Sequence, residues 1–92
     1  MDRIALTAMS PDSSITVTGH TDDVPISNGQ FRDNWDLGAG RAASVVQAIQ
    51  STGLISGDRL SAVSKGEMAP LADNNTAAGR EQNRRIEIEI SY

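Results

Sequence analysis

Cysteine is absent from the 92-residue chain. That removes disulfides, thiolate nucleophiles and zinc–cysteine clusters together, and names no compartment. Aromatics are nearly as scarce, with Phe31, Trp35 and Tyr92 the full set. The core must therefore be aliphatic, drawn from Ile, Leu, Val and Ala. No apolar run is long enough to cross a bilayer, and no signal peptide is visible, since Met1-Asp2-Arg3 leads into only a short apolar stretch. An excess of positive charge is missing too. At a net charge of −4 the chain lacks the basic face a nucleic-acid binder needs to replace counterions.

What is present describes a small globular domain. A hydrophobic fraction of 38% beside 22% charged residues is enough to drive collapse. One domain is expected at this length, burying about 60–65% of its unfolded surface and leaving a thin stability margin.

Residues 2–9 read weakly as the end of a helix, stopped by Ser10-Pro11-Asp12. Ser14 to Thr18 alternates and is rich in β-branched residues, which predicts a strand with Ile15 and Val17 facing the core. Gly19 to Asp33 is a long polar loop, the kind of segment that carries function. Asn34 or Asp33 caps a helix running from Trp35 to Gln50, where Leu37, Ala42, Val45, Val46 and Ile49 recur at helical spacing, and Gly53 marks its end. Gly38 and Gly40 inside it each cost about 1 kcal/mol relative to Ala. Either the first turn is irregular, or something approaches the backbone closely there.

A second strand is predicted over 58–64, a loop over 66–76 and a short polar helix over 77–84. The clearest strand is 85–91, with isoleucines on one face and glutamates on the other. Strict alternation describes a sheet buried on one side. The fold class is then α+β, with helices on one face of a mixed sheet.

Polar residues concentrate in three blocks: Gly19-His20-Thr21-Asp22-Asp23, then Asn34 to Ala42, then Asn74 to Arg85. Each has a plain reading. Asp22 after a strand serves as a turn residue. Arg41 is a helix-surface charge pairing with Asp22 or Asp36, worth little. His20, the single histidine, makes no metal site with scattered carboxylates, and a structural role with its imidazole bonded to nearby backbone is expected. Asp22 and Asp23 are neighbours that point apart, with no accompanying nucleophile, so no acid–base pair is read there. Trp35 is expected to pack beside Leu37 rather than stack on a sugar. Arg80, Arg84 and Arg85 are diluted by Glu81, Glu87 and Glu89, which makes a poor phosphate patch.

Taken together the blocks are more specific. Gly-His-Thr-Asp at 19–22, Asn-x-x-Leu-x-x-x-Arg-Ala at 34–42 and Asn-x-Thr-x-x-Gly-Arg-x-x-Asn-Arg-Arg at 74–85 resemble the signature of the OmpA-like peptidoglycan-binding domain, in that family's order. Asp23-Val24-Pro25-Ile26 with Phe31 and Asn34-Trp35 resembles its MotB branch, the cell-wall anchor of the flagellar motor stator. The match runs from about Ile15 to Ile90.

The resemblance implies a non-catalytic module, without cofactor or metal, that binds the diaminopimelate residue of the peptidoglycan stem peptide. Its free end carries an ammonium and a carboxylate on one carbon. By motif position Asp22 accepts from the ammonium, Arg41 clamps the carboxylate, Asn34 orients loop and ligand, and Arg84 and Arg80 add contacts. Thr21 belongs to the same ligand-binding set. The resemblance also implies a homodimer, a MotA-like membrane partner reached through regions outside these residues, and a periplasmic location for a protein anchored in the inner membrane; the alternatives are the wall-anchoring domain of an outer-membrane OmpA-type protein or lipoprotein, and a structural protein–protein module. No nucleic-acid partner is implied. Two departures stand out. The family often has Ser where Gly38 stands, and its opening strand is missing ahead of Ile15. A neighbouring chain or a rearranged N-terminus is expected to cover the resulting sheet edge.

Overall fold

The computed structural model describes residues 13–91. The helix end expected over 2–9, its Ser10-Pro11-Asp12 stop and the cover expected over the sheet edge involve residues outside that range. Along the chain the elements are strand β1 (Ser14–His20), helix α1 (Asn34–Gln50), a 3-10 turn (Gly57–Arg59), strand β2 (Leu60–Gly66), helix α2 (Ala77–Asn83) and strand β3 (Ile86–Ser91).

β1 is central among the described residues. It pairs with β2 in parallel, Val17 opposite Ala62, and with β3 antiparallel, Val17 opposite Ile88. The parallel pair requires a crossover, and α1 supplies it. Both expectations of alternation hold. Ile15 and Val17 are fully buried, and Ile86, Ile88 and Ile90 share their face while Glu87 and Glu89 lie opposite Thr18 and Thr16 on the other side.

The core is aliphatic, with Ile15, Val17, Ala42, Ile49 and Ile55 at its centre and Val45, Val46, Leu60 and the β3 isoleucines around it. Each large side chain so buried contributes about 1.5–3 kcal/mol. The helix lies chiefly over β1 and β2. It gets close because of two glycines. A Cβ on Gly19 would overlap the Gly38 carbonyl, and one on Gly38 would lie 2.9 Å from the Gly19 carbonyl oxygen and collide with the Ser64 hydroxyl. Gly40 is similarly filled, by Phe31, whose Cε1 would be 2.9 Å from an added Cβ. The helix is regular through this turn, so close approach is what these glycines serve.

The chain enters β1 anchored. The Arg59 Nε donates to the Ser13 carbonyl at 2.6 Å, and its guanidinium also donates to the Ser13 hydroxyl. Among the described residues no helix is long and apolar enough to cross a membrane.

Candidate functional site

The site grows from the end of the sheet where the parallel strands stop. The Thr21 N–H donates to the Gly66 carbonyl at 2.8 Å, tying the first residue after β1 to the last of β2. The Thr21 hydroxyl donates to the Asp22 carbonyl at 2.8 Å, and the Val24 N–H donates to Asp22 Oδ1 at 3.1 Å. This is a local side-chain turn of the type aspartate favours. It fixes the carboxylate as well as the backbone.

Asp33 caps α1, its Oδ1 accepting from the Asp36 N–H at 2.9 Å. Asn34 is thereby released for a different task. It is buried, and its Nδ2 donates to the carbonyls of Asp22 and Val24, each at 3.2 Å. The second block thus holds the first in place.

The third block is mostly scaffold. Thr76 caps α2 by accepting from the Gly79 N–H at 2.9 Å. Gly79 sits so close to the Asp73 carbonyl that no side chain fits. Asn83 is fully buried; its Oδ1 accepts from the N–H groups of Leu71 and Ala72 at 2.7 and 2.9 Å, and its Nδ2 donates to the Ala72 carbonyl and Asn74 Oδ1 at 3.0 and 2.6 Å. Arg80 donates to the Asn74 carbonyl at 3.0 Å.

Arg84 leaves this scaffold and crosses to the first block. Its NH1 donates to Asp22 Oδ2 at 2.7 Å, a charge-assisted bond. The carboxylate is nearly withdrawn from water, with 12% of its side chain exposed, while Arg84 remains 44% exposed. The pair borders a cavity of about 480 Å³, within the range of small-ligand sites. Its polar wall is Asp22, Asn34, Arg80 and Arg84; its apolar wall is Val24, Pro25, Ile26 and Leu37.

Of the six residues expected to bind ligand, four therefore meet at one cavity: Asp22, Asn34, Arg80 and Arg84. Thr21 lies beneath Asp22 and positions it. Arg41 is one turn beyond Leu37 on α1, half-buried, outside the cavity wall, and without a hydrogen bond or ion pair among the described residues. The partner of Asp22 is Arg84, and Asp36 pairs with Arg32 at 3.1 Å instead of with Arg41. The apolar wall was not anticipated as part of a site. Its signal was Val24-Pro25-Ile26, an apolar run in an otherwise polar loop with no strand pattern to explain it.

Two expectations need correction. Trp35 does not pack into the core; it is 48% exposed, in the first turn of α1, with its indole against Gly66 at the end of β2. His20 is buried, yet neither ring nitrogen has a hydrogen-bond partner. Its Nε2 lies 3.3 Å from Glu87 Oε2 without the alignment of a bond, and Arg85 Nε donates to that same oxygen at 2.6 Å. Burial first, and then the charge of Arg85, hold the His20 pKa below its ordinary 6.5.

Among the described residues no cluster of three or more histidines and carboxylates is suited to a metal ion. Chemically the site offers an acceptor and a donor side by side. Asp22 uses one lone pair on each oxygen internally and keeps others free, while Arg84 commits one of its five N–H donors. An ammonium and a carboxylate on one small molecule would meet complementary partners here, and an attached aliphatic chain would meet the apolar wall.

The model of the OmpA family matches residues 1–84. Motility protein B of Bacillus subtilis is 38% identical over 85 residues, which cover 92% of this chain and 33% of that protein. The peptidoglycan-binding protein ArfA of Mycobacterium bovis is 36% identical over 81 residues, covering 88% of this chain and 23% of that protein. Among solved structures, the C-terminal domain of Helicobacter pylori MotB superposes with a TM-score of 0.88 at 32% identity, covering 99% of this chain and 70% of that one. The chain thus spans a third or less of the length of these curated relatives.

Proposed function

Because this chain belongs to the OmpA family, on its MotB-like branch, we propose that it is a non-catalytic binding domain for peptidoglycan within a longer periplasmic protein. The ligand is the zwitterionic end of diaminopimelate in the stem peptide. Asp22 receives the ammonium, and Arg84 and Arg41 share the carboxylate, with Arg41 swinging from its unpaired position one turn along α1. Asn34 and Thr21 hold Asp22 in place, Arg80 flanks the cavity, and the wall of Val24, Pro25, Ile26 and Leu37 receives the methylene arm. The observation that carries this reading is the Asp22–Arg84 pair at the mouth of an apolar-walled cavity. The parent protein is proposed to be an inner-membrane stator component that works as a homodimer with a MotA-like partner.

A receptor of two or three charge-assisted bonds, each worth about 1.5–3 kcal/mol, gives modest affinity per site. Firm anchoring then comes from several sites on one polymer.

The test is co-sedimentation with insoluble peptidoglycan. Asp22→Ala should abolish pelleting while the circular dichroism spectrum stays near wild type and the urea midpoint falls only modestly, since the change removes the bonds to the Val24 N–H and Arg84 but leaves Arg84 44% exposed to water. Arg41→Ala should weaken binding at least tenfold, the equivalent of about 1.4 kcal/mol. Pelleting that survives Asp22→Ala would sink the reading. Release of soluble fragments from the wall, lost on the same substitution, would make the domain a hydrolase instead.

A further inference from the structure

Exposed apolar side chains gather at the same end of the sheet as the cavity. Six large apolar side chains are exposed among the described residues, and four of them, Val24, Trp35, Met68 and Leu71, lie in the segments at the same end of the sheet as Asp22. Trp35 is the most demanding of these to leave in water, because an indole carries the largest apolar surface of any side chain. Its backing is firm. The ring rests on Gly66, where an added Cβ would stand 3.4 Å from Trp35 Cδ2 and 3.3 Å from the Trp35 nitrogen. Gly66 has φ of 51°, a left-handed conformation that favours glycine, so this floor stays free of a side chain. Gly66 in turn accepts from Thr21, the neighbour of Asp22, and Asn34, the neighbour of Trp35, donates to the Asp22 carbonyl. The exposed indole and the charged pair are thus connected through two short, rigid links.

We infer that Trp35 is a carbohydrate platform, stacking against a pyranose ring of the glycan strand from which the stem peptide hangs. This rests on the peptide-binding reading above. A flat ring with an apolar face and one N–H donor matches a sugar, which offers axial C–H groups on its face and hydroxyls at its edge. The occupant follows from continuity with the cavity. A stem residue held by Asp22 is tethered to its sugar by two or three residues, a reach of about 10 Å, so the sugar is delivered to the surroundings of the cavity whenever the peptide binds. Covering the open half of the indole should strengthen binding about tenfold.

Trp35 is the single tryptophan, so its own fluorescence reads the event. The chain is titrated with three probes: a free stem peptide ending in diaminopimelate, the same peptide on its amino-sugar disaccharide, and a β-1,4-linked N-acetylglucosamine tetramer. The disaccharide-peptide should bind about tenfold tighter than the peptide and shift the emission, and the peptide alone should leave the emission unchanged. Trp35→Ala should erase that preference while retaining peptide affinity, and Trp35→Phe should keep part of it. Should Trp35→Ala fail to fold, the wild-type preference and emission shift with Trp35→Phe decide alone. Equal affinity of peptide and disaccharide-peptide, or an undiminished preference in Trp35→Ala, overturns the inference. So does a change of sedimentation coefficient on Trp35→Ala with no change in sugar preference, which would make the indole a contact between copies. The two readings fail differently. If no peptide binds in an Asp22-dependent way the zwitterion site itself is wrong; if peptide binds and the sugar adds nothing, only the platform is. Binding of the tetramer alone, lost in Trp35→Ala, supports the platform.

Discussion

The helix–sheet body and the loop-built end of this domain are held together by different physics. In the body, α1 lies on β1 and β2 through aliphatic side chains and a backbone contact at Gly19 and Gly38. At the loop end the fully buried side chain is Asn83, and the loops are tied by side-chain amides, carboxylates and hydroxyls bonded to backbone. Apolar burial is non-directional and tolerates adjustment. Hydrogen bonds between buried groups have one good geometry and a high cost when broken. The loop end is thus built from interactions that specify position, while the body supplies most of the apolar burial. Many of the residues that make the motif recognisable therefore serve as scaffold: Asn34, Thr76, Gly79 and Asn83 place Asp22 and Arg84 without needing to touch a ligand.

The comparison breaks most visibly at the contact beneath both regions. Gly19→Ala forces a methyl into the Gly38 carbonyl, where backbone on both sides leaves no flexible side chain to yield. The cost should be about 3 kcal/mol, a large fraction of what a domain this small has available. Urea titration should show the midpoint lowered by about 1–3 M. A midpoint close to wild type would mean that helix and sheet separate readily, and that the body is not the rigid half.

Asn83→Ala comes next and tests whether the loop end opens independently. It leaves the Leu71 and Ala72 amides without their acceptor, at about 2 kcal/mol. Hydrogen exchange should accelerate at those amides and through residues 67–76 while the interior of α1 keeps its protection, the signature of a local opening. Uniform loss of protection in both regions would show one cooperative unit instead of two.

The same division explains what the sequence made legible. Period-two alternation gave β1 and β3, and helical spacing gave α1 to within a residue of its start, because those patterns reflect burial against a face. The glycine anomaly at 38 and 40 left an irregular turn and a close approach both open, and the packing against Gly19, Ser64 and Phe31 decides for close approach. Pattern said nothing of partners across the loops. Asp33 and Asn34 were interchangeable as caps until tertiary structure claimed Asn34 for the Asp22 turn. The pairing of Asp22 with Arg84 spans most of the chain and has no local signal. Trp35 and His20 were misjudged for a common reason: composition says that an aromatic is buried and a buried imidazole is bonded, but both sit where the sheet ends, and their surroundings depend on which loops fold over that rim.

His20 stands at the boundary between the two regions and gives the smallest effect. It is 4% exposed, and its backbone N–H donates to the carbonyl of Arg85, the residue just ahead of β3, at 2.9 Å. The charged groups acting on its ring are Arg85 and Glu87 around β3 and Lys65 from β2. Burial, followed by Arg85, outweighs the attraction of Glu87 and lowers the folded pKa below 6.5, so the folded ring prefers to be neutral. The unfolded chain then binds the proton more readily. Stability is complete above pH 6.5 and declines as the pH falls from there toward the folded value, where the unfavourable proton is finally taken up. Glu87 is itself held below its ordinary value by Arg85, so it is charged where the decline begins. Urea midpoints measured on either side of pH 6.5 should fall on acidification in the wild type and stay level in His20→Gln. A midpoint that rises instead would mean that the protonated ring and Glu87 form a true ion pair. The rim would then be stabilised by charge, and the contrast between an apolar body and a hydrogen-bonded end would need a third term.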